Sequence, residues 1–589
     1  MTPPPIRYAI RPSHPAAHRF EVCCTVDHPA ASGQRFALPA WIPGSYLIRD
    51  FARNVISIRA ECGGKTIRIR KIDKNTWQAD ALKPAAPLTL TYEVYAWDLS
   101  VRGAHLDETH AFFNGTSVFL RVLGQEDSPC LVELLPPQGK VFKDWRIATA
   151  LEPARAGKKG AARHGFGLYQ AENYDELIDH PVEMGCFTLA HFDACGAPHD
   201  IAITGRHDAD LERLTADLKR ICETQIRFFG EPAPMSRYTF LVTAVGDGYG
   251  GLEHRASTAL LCSRNDLPYR GMGGISEGYQ TFLGLCSHEY FHTWNVKRIK
   301  PAAFTPYDLE RENYTSLLWA FEGFTSYYDD LLLRSGIIQL EDWLKLMAKT
   351  ICNVHRAPGR LHQSLAESSF DAWSKFYRPD ENTPNAVVSY YAKGALLALG
   401  LDLTLRAKTG GKVSLDTVML ALWERFGKTG TGVGEDDIRR IAEELSGLSL
   451  RRFFADYVDG TAELPLKKWL APFGIMIEWE KARVPSLGVK TSNEGSEVNL
   501  ATVYDGGAAQ KAGLSAGDML LAIGGLRVSA STLDKHLARC QDEDTIRVHA
   551  FRRDELMEFT VCLDPAPSDT ARLSLGKQKN SLLRGWLRG

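Results

Sequence analysis

The chain has 589 residues, of which 44% are hydrophobic and 24% are charged. This length and composition predict a soluble globular protein of three or four domains, each with its own hydrophobic core. The formal net charge of −2 gives no reason to expect nucleic acid or an anionic membrane surface as a partner.

Targeting signals and cysteines bear on where the protein works. No apolar run reaches the roughly 18 residues that a membrane-spanning helix needs. The first residues lack the basic and then apolar regions of a signal peptide. The 12 cysteines include no CxxC pair and are typical of reduced thiols rather than of a disulfide framework. We therefore predict a cytoplasmic location, with a periplasmic one only if the chain was trimmed.

Residues 1–206 are predicted to form an antiparallel β domain. Apolar and polar residues alternate over residues 20–26 and 88–95, which is the period of a half-buried strand. Residues 153–165 are rich in Ala, Gly, Lys and Arg and are predicted to be an exposed loop. The segment 41–50 is either a loop that reaches the functional cleft or a packed turn inside the β domain.

A second domain, over residues 207–475, is predicted to be mixed α/β at first and then helical. Residues 208–229 have the apolar spacing of a helix, interrupted by one polar residue, Gln225. A strand over 238–244 leads to a glycine-rich run at 246–251. That run lacks the Lys-Ser/Thr of a phosphate-binding loop, so we interpret it as an edge that substrate backbone can approach closely.

Residues 288–292 read His-Glu-Tyr-Phe-His and follow a helical pattern. Residues four apart on a helix differ by about 40° of rotation, so His288 and His292 face one way and can bind one Zn²⁺ together. Glu289 is placed to hold a zinc-bound water and take its proton. The alternative is a surface helix with two histidines, but the apolar pair between them favours a half-buried helix.

A candidate third ligand, Glu322, lies on a second helical pattern over residues 315–333. The segment between the histidine motif and this helix contains Pro301 and Pro306, and it could bring the chain back to the histidines. Gly323 follows the proposed ligand, although a glycine inside a helix costs about 1 kcal/mol relative to alanine. We expect that its missing side chain permits two backbones to approach closely; the alternative is a tolerated defect.

Three basic residues, Lys297, Arg298 and Lys300, follow the histidine motif. We interpret them as holding either a substrate carboxylate or a loop of the same domain. The alternative is a solvated helix end whose dipole favours positive charge. Cys286 precedes the motif by two residues and is expected to face away from His288, as a packing residue.

Residues 480–566 form a separate unit. The run 508–525 strongly resembles the core signature of PDZ domains, and Leu487, Gly488 and Val489 resemble their carboxylate-binding loop. Backbone amides of such a loop can capture a C-terminal carboxylate while the peptide adds a strand to the sheet edge. The alternative is a PDZ fold used only as a spacer. The basic tail, 567–589, is predicted to be disordered or loosely attached, with membrane or partner attachment as a minority interpretation.

Taken together, the motifs resemble the glycyl aminopeptidase family, PDZ-bearing metallopeptidases that are distantly related to aminopeptidase N. The resemblance rests on residues 41–51, 288–298 and 319–328 and spans almost the whole chain apart from the tail. It implies a thermolysin-like gluzincin domain with one Zn²⁺ per chain, held by His288, His292 and Glu322 with water in the fourth position.

Two further motifs carry over by resemblance. Residues 250–254 are similar to the Gly-x-Met-Glu-Asn strand of aminopeptidase N, which implies that Glu253, with Gly250 and Gly251, binds the substrate's free amino group. His254 replaces the asparagine of that strand, and a strand-edge charge is the alternative for Glu253.

The run 390–394 resembles the Tyr-x-Lys-Gly segment of the same relatives. It implies that Tyr391 donates to the oxyanion of the tetrahedral intermediate. The alternative is that Tyr391 is a core aromatic and Tyr390 the functional one.

The sequence therefore predicts a zinc-dependent aminopeptidase in a multidomain α+β chain. Its substrates would be peptides with a free N-terminus, and the resemblance implies a preference for glycine or alanine as the first residue. The nearest alternative is an endopeptidase that uses the same zinc, and Glu253 distinguishes the two. A second alternative is a PDZ adaptor with an inactive peptidase domain, against which the intact ligand set and Glu289 argue.

Overall fold

The structure is a computed structural model that describes residues 4–82, 86–154, 160–333, 336–494, 496–577 and 580–588. The chain divides into two compact units. The first unit comprises residues 1–313, 331–338 and 425–432, and the second comprises residues 314–330, 339–424 and 433–589.

Strands dominate the first unit. They are β1 (Ile6–His14), β2 (Arg19–Val26), β3 (Arg35–Ala37), β4 (Val55–Cys62), β5 (Lys65–Ile67), β6 (Ile69–Lys71), β7 (Thr76–Ala79), β8 (Leu88–Tyr95), β9 (Ala104–Leu106), β10 (His110–Phe113), β11 (Arg121–Val122), β12 (Cys130–Leu134), β13 (Arg146–Ala148), β14 (Glu152–Pro153), β15 (Gly167–Ala171), β16 (Val182–Gly185), β17 (Thr188–Ala194), β18 (Ala197–Thr204), β19 (Tyr238–Val245), β20 (Tyr249–Glu253) and β21 (Ser257–Ser263). Its helices are α1 (Gly115–Val118), α2 (Tyr174–Ile178), α3 (Leu211–Phe229) and α4 (Glu277–Phe291).

The N-terminal strands form one large and two small sheets. The eight-stranded sheet has the order β14-β15-β12-β1-β2-β8-β4-β5, and the four-stranded sheets have the orders β13-β16-β10-β9 and β11-β3-β7-β6. The alternating segments 20–26 and 88–95 become β2 and β8, which pair antiparallel. An N-terminal β domain is confirmed, although β1 pairs parallel, not antiparallel, with β12. Five residues of the predicted loop at 153–165, residues 155–159, lie outside the described residues.

A mixed five-stranded sheet, of order β17-β18-β19-β21-β20, carries α3 and α4. The strand β20 lies at its edge and pairs antiparallel with β21. Gln225, the polar residue that interrupts the apolar spacing of α3, is buried and donates to both the carbonyl and the hydroxyl oxygen of Ser287 on α4. A buried amide needs such partners, so this residue fixes α3 against α4.

The second unit begins with helices. They are α5 (Leu318–Leu333), α6 (Leu340–Arg356), α7 (Leu365–Phe370), α8 (Thr383–Ala386), α9 (Ala392–Thr409), α10 (Leu415–Leu422), α11 (Asp437–Ser446), α12 (Arg451–Tyr457) and α13 (Leu466–Leu470). Leu450 holds the N-cap position of α12, and its side chain makes no capping hydrogen bond.

The remaining elements of the second unit are mostly strands. They are β22 (Ile475–Lys481), β23 (Val489–Glu494), β24 (Glu497–Val503), α14 (Ala508–Lys511), β25 (Met519–Ile523), β26 (Leu526–Arg527), α15 (Leu533–Leu537), β27 (Thr545–Arg552), β28 (Glu555–Cys562), β29 (Ser568–Leu575) and α16 (Ser581–Arg588). The strands β23-β24-β25-β27-β28 follow one another in a sheet with β26 beside β25, around a core that includes Leu500, Val548 and Val561.

The predicted disorder of the basic tail is wrong. β29 pairs antiparallel with β22 over its whole length, and α16 follows it. Trp586 is 1% exposed, stacks edge-on against Trp343 and donates to the hydroxyl of Tyr327. Burying one large aromatic side chain stabilises by about 1.5–3 kcal/mol, which outweighs the positive charge of the segment.

The predicted multidomain α+β class is confirmed by these sheets and helices. Across the described residues, no helix is long and apolar enough to cross a membrane.

Candidate active site

The histidine pair lies at the end of α4. Ser276 caps this helix by accepting from the N–H of Tyr279. The N–H of His292 donates to the carbonyl of His288, so the helical register continues through the second histidine. The two Nε2 atoms consequently lie 3.1 Å apart. Two imidazole nitrogens at this separation suit one metal ion, and the structure therefore places His288 and His292 as the sequence predicts.

The backbone beyond α4 fixes the tautomer of His292. Its Nδ1 lies 2.6 Å from the carbonyl oxygen of Asn295. A carbonyl only accepts, so Nδ1 carries the hydrogen and the Nε2 lone pair faces His288. Val296 follows with φ of 145°, a strained conformation for a β-branched residue that the surrounding fold must stabilise. The donor chemistry of this pair therefore fits zinc.

Two carboxylates lie beside His292. Ligand atoms of Glu253, Glu289 and His292 all fall within 4.8 Å of one another, and all three residues are buried. Two buried carboxylates repel each other unless a proton or a cation lies between them. Among the described residues, Oε1 of Glu253 has no hydrogen-bond partner. The cluster therefore provides a place where a cationic group is stabilised.

Glycines let the main chain approach both carboxylates. A methyl group built on Gly251 would overlap Oε1 of Glu289. One built on Gly44, whose φ is +95°, would lie 2.6 Å from both oxygens of Glu253. The segment 41–50 therefore lies against Glu253, as one of its two interpretations expects. A methyl group on Gly250 would lie 3.7 Å from Arg102, so Gly250 does not approach the carboxylates.

If Glu289 is the predicted base, Gly251→Ala should lower kcat/KM at least about tenfold, because the new methyl group must displace its carboxylate and small misplacements of a catalytic group are costly. Steady-state kinetics on a glycyl anilide would measure this. Gly246→Ala in the same run is the control, since its added methyl group has no atom within 4 Å. Equal kinetics for the two variants would show that Glu289 tolerates the displacement.

Asp179, which sequence reasoning missed, anchors this region. It lies 3.0 Å from Nδ1 of His254, 2.8 Å from Nζ of Lys297 and 2.8 Å from Nε of Arg255. Burial acts to raise the pKa of Asp179, but Lys297 and Arg255 outweigh it and hold that pKa well below its ordinary value. His254 follows Glu253 in the chain, and its ring points to Asp179. No motif marks Asp179, because its partners are distant in the sequence.

The basic residues after α4 serve the fold. Lys297 is buried against Asp179, and Arg298 donates to the carbonyls of Thr293, Pro234 and Arg255. The interpretation of this group as a solvated helix end is therefore wrong for these two residues. Arg298 holds loops of the second domain, as one interpretation expects, whereas Lys297 pairs with Asp179 of the N-terminal segment.

In the second unit, Glu322 lies buried on α5 next to a contact between two glycines. A methyl group built on Gly323 would lie 2.6 Å from Cα of Gly394 on α9. The expected close approach of two backbones is therefore confirmed. It brings α5 against the first turn of α9, where Tyr391 is the N-cap residue.

The two tyrosines before α9 differ in exposure. Tyr391 is half-buried, and its hydroxyl lies 3.2 Å from the hydroxyl of Tyr377. Tyr390 is fully buried; burial, then Tyr377 and Glu322, raise its pKa well above the ordinary value. Tyr391 is therefore partly open to solvent, whereas Tyr390 is not. Tyr377 was missed, since nothing in its sequence context marks it.

The predicted carboxylate loop lies before β23. Gly488 has φ of +71°, and a methyl group on it would lie 2.8 Å from Cα of Gly507. The amide of Gly488 donates to the hydroxyl of Ser486, and the carbonyl of Leu487 accepts from Ala509. β23 is an edge strand of its sheet and begins at Val489.

Comparisons with known proteins agree with this arrangement. Residues 7–186 match the Peptidase M61 N-terminal domain, residues 281–397 match M61 glycyl aminopeptidase, and residues 485–563 match the PDZ domain. No curated protein matches the chain.

Solved structures are also similar. An aminopeptidase N family protein from Idiomarina loihiensis is 43% identical, with a TM-score of 0.94, over 99% of this chain and 100% of that chain. A variant of a two-domain M1 zinc metallopeptidase bound to L-arginine is 14% identical, with a TM-score of 0.50, over 79% of this chain and 95% of that chain. The second likeness shows the fold alone.

These matches confirm the resemblance that the motifs indicate, including the peptidase and PDZ folds. The chain belongs to the M61 glycyl aminopeptidase family and is a zinc metallopeptidase of that family.

Proposed function

We propose that the protein removes the N-terminal residue from peptides, with a preference for glycine or alanine, using one Zn²⁺ per chain. The main support for this proposal is the buried cluster of Glu253, Glu289 and His292. In this cluster, Oε1 of Glu253 has no hydrogen-bond partner among the described residues. A protonated α-amino group is a cation that such an oxygen can bind.

His288, His292 and Glu322 would hold the zinc. The fixed tautomer of His292 and the 3.1 Å between the two Nε2 atoms support the histidine pair. Glu322 is buried beside the contact of Gly323 and Gly394, and this supports a carboxylate held in one position, as a metal ligand needs. When bound, zinc polarises the scissile carbonyl and acidifies water, which is its chemistry in peptidases of this kind.

Glu289 would take the proton from the attacking water and pass it to the leaving amine. Its closeness to His292 within 4.8 Å supports this role, because a base must lie beside the water it activates. Tyr391 would donate its hydroxyl hydrogen to the developing oxyanion, and its partial exposure and its contact with Tyr377 support it over Tyr390.

Glu253 would bind the free amino terminus. The main chain at Gly44 lies against both oxygens of this carboxylate. Main chain behind an amine-binding carboxylate would block a longer N-terminal extension of the substrate, which supports an aminopeptidase over an endopeptidase. Gly250 and Gly251 on the edge strand β20 would line the approach of the substrate.

One assay tests this function. Glycyl, alanyl, leucyl and phenylalanyl anilides would be compared with their N-acetylated forms, with and without a zinc chelator, in the wild type and in Glu253→Gln. We expect chelator-sensitive cleavage of free glycyl and alanyl anilides only. Glu253→Gln should lower their kcat/KM about 10- to 100-fold, because a hydrogen bond to a charged group contributes about 1.5–3 kcal/mol.

Other outcomes would contradict the proposal. Cleavage of acetylated peptides at a similar rate would favour the endopeptidase. Bound zinc without chelator-sensitive hydrolysis would favour an adaptor with an inactive peptidase domain.

The rest of the proposal concerns organisation. We propose domains at 1–206, 207–475, 480–566 and 567–589.

We also propose that the loop Leu487, Gly488 and Val489 binds the C-terminus of a peptide. The edge strand β23 supports such a ligand, since β-strand addition needs a sheet edge. All 12 cysteines are free, which supports a reducing, cytoplasmic location.

A further inference from the structure

A second group of metal-binding side chains lies in the N-terminal sheets. His105 on β9, His110 on β10 and Asp107 between them each offer a ligand atom, and these atoms lie within 4.8 Å of one another. None of the three belongs to the histidine motif or to the proposed peptidase site. Two imidazoles and one carboxylate are a donor set that first-row transition metals favour.

His110 is prepared for such a role by residues behind it. Its Nδ1 lies 3.0 Å from Oε1 of Glu183, and the same oxygen accepts from the hydroxyl of Thr204 at 2.8 Å. A carboxylate only accepts, so Nδ1 of the neutral ring carries the hydrogen and Nε2 keeps its lone pair. Carboxylate–histidine pairs of this kind orient metal ligands in known sites.

Asp107 is also held in place by its neighbours. One oxygen, Oδ1, accepts from the backbone N–H groups of Thr109 and His110 and from the hydroxyl of Thr109. The other oxygen, Oδ2, lies 3.4 Å from Nε2 of His105. Because the side chain is 30% exposed, an ion can reach Oδ2 from solvent.

Among the described residues, the buried ring of His105 has one long polar contact, from Nε2 to Oδ2 of Asp107. His105 is 5% exposed, and its Nδ1 has no hydrogen-bond partner among the described residues. The 3.4 Å to Asp107 is long for an N–H···O bond, which is usually about 2.7–3.2 Å. It is the separation of two ligands about 2.1 Å from a tetrahedral ion, which is about 3.4 Å. An ion between them would satisfy this geometry.

A comparable cluster in the same unit shows the contrast. His164, His191 and Asp200 also approach one another, but Arg163 donates to both oxygens of Asp200, at 2.7 and 2.9 Å. That carboxylate already has a cation. No lysine or arginine forms an ion pair with Asp107 or Glu183 in the part of the chain that the structure describes.

We propose that His105, Asp107 and His110 form a second binding site for a divalent first-row transition metal such as Zn²⁺, separate from the peptidase site. The two carboxylates, Asp107 and Glu183, supply the charge that neutralises a divalent ion. The site joins β9 to β10 and, through Glu183, to β16, so the ion would cross-link one sheet of the N-terminal domain.

Metal counting on the full-length chain tests the site. After loading with Zn²⁺ and gel filtration, elemental analysis should give two equivalents for the wild type and one for His105→Gln. His288→Gln should lose the other equivalent, so failure of the peptidase proposal and failure of this one are distinguishable. Asp107→Asn keeps the acceptor for Thr109 and should weaken Zn²⁺ binding at this site at least about tenfold.

Fluorescence gives an independent readout. The exposed indole of Trp97 stacks on His105 with ring centroids 4.9 Å apart, and the ring of His18 lies tilted against the same indole at 3.9 Å. For this test, zinc is removed from the proposed second site and kept at the peptidase site. Ni²⁺ titrated into this protein should then quench the fluorescence of Trp97, and the quenching should saturate at one Ni²⁺ per chain. His18→Gln, the matched control, should bind as the wild type does. A wild type with one equivalent, or unchanged binding in His105→Gln and Asp107→Asn, would overturn the proposal.

Discussion

Glu289→Gln should bind zinc as the wild type does and lose at least about 100-fold in kcat, since general-base catalysis contributes typically 10²–10⁴-fold. Glutamine has nearly the volume of glutamate but cannot accept the proton of the attacking water. The buried position of Glu289, near His292 and under the main chain of Gly251, favours an unchanged fold in this variant. Elemental analysis would measure zinc, and kinetics on a glycyl anilide would measure turnover.

The same helix supplies the control for this experiment. Glu277 lies in the exposed first turn of α4, three turns before the motif, and Glu277→Gln makes the identical chemical change. We expect its kcat to stay within about twofold, because a surface substitution has little effect on a distant site. A Glu289→Gln enzyme with wild-type turnover would reject Glu289 as the base.

Glu322→Ala should lose most of its zinc and with it the peptidase activity. Two imidazoles alone bind zinc weakly, and even removing groups behind the ligands typically costs 10–100-fold in affinity, so we expect a loss of more than about 100-fold. Competition with a chromogenic chelator would measure the affinity. The wild-type activity should be unaffected by this chelator when zinc is in excess.

Two further variants make the result interpretable. Glu322→Gln keeps the volume of the side chain on α5, which separates lost ligation from a cavity beside Gly323. Glu341→Ala removes an exposed carboxylate in the first turn of the next helix and should keep its zinc. An unchanged zinc affinity in both Glu322 variants would remove this residue from the ligand set.

The elements that the sequence predicts well share local causes. The strands β2 and β8 follow from alternation, and α3 follows from apolar spacing and is found where expected. The histidine pair follows from helical geometry alone, because its spacing of four residues brings both rings to one face. Gly323 was informative since a glycine within a helix needs a reason, and the backbone of Gly394 supplies it.

What the sequence could not provide depends on contacts between distant segments. Asp179 gains its role from Lys297 and Arg255, more than 70 residues away in the chain. Gly44 matters because it lies against Glu253, a contact that no spacing rule reveals. Trp586 orders a tail whose charge favours disorder, because one buried indole outweighs several solvated cations. Local patterns therefore predict the residues of the motif better than the distant residues that hold the motif in place.

The contact of Gly323 with Gly394 limits how this enzyme can be altered. The residue before the first glycine is the proposed ligand Glu322, and Tyr391 lies three residues before the second, at the start of α9. Neither helix has a side chain at the crossing that could be trimmed or enlarged to adjust their spacing. Attempts to retune the proposed metal ligand or the proposed oxyanion donor by directed evolution must therefore work through surrounding residues, since a single added methyl group at the crossing would shift both residues at once.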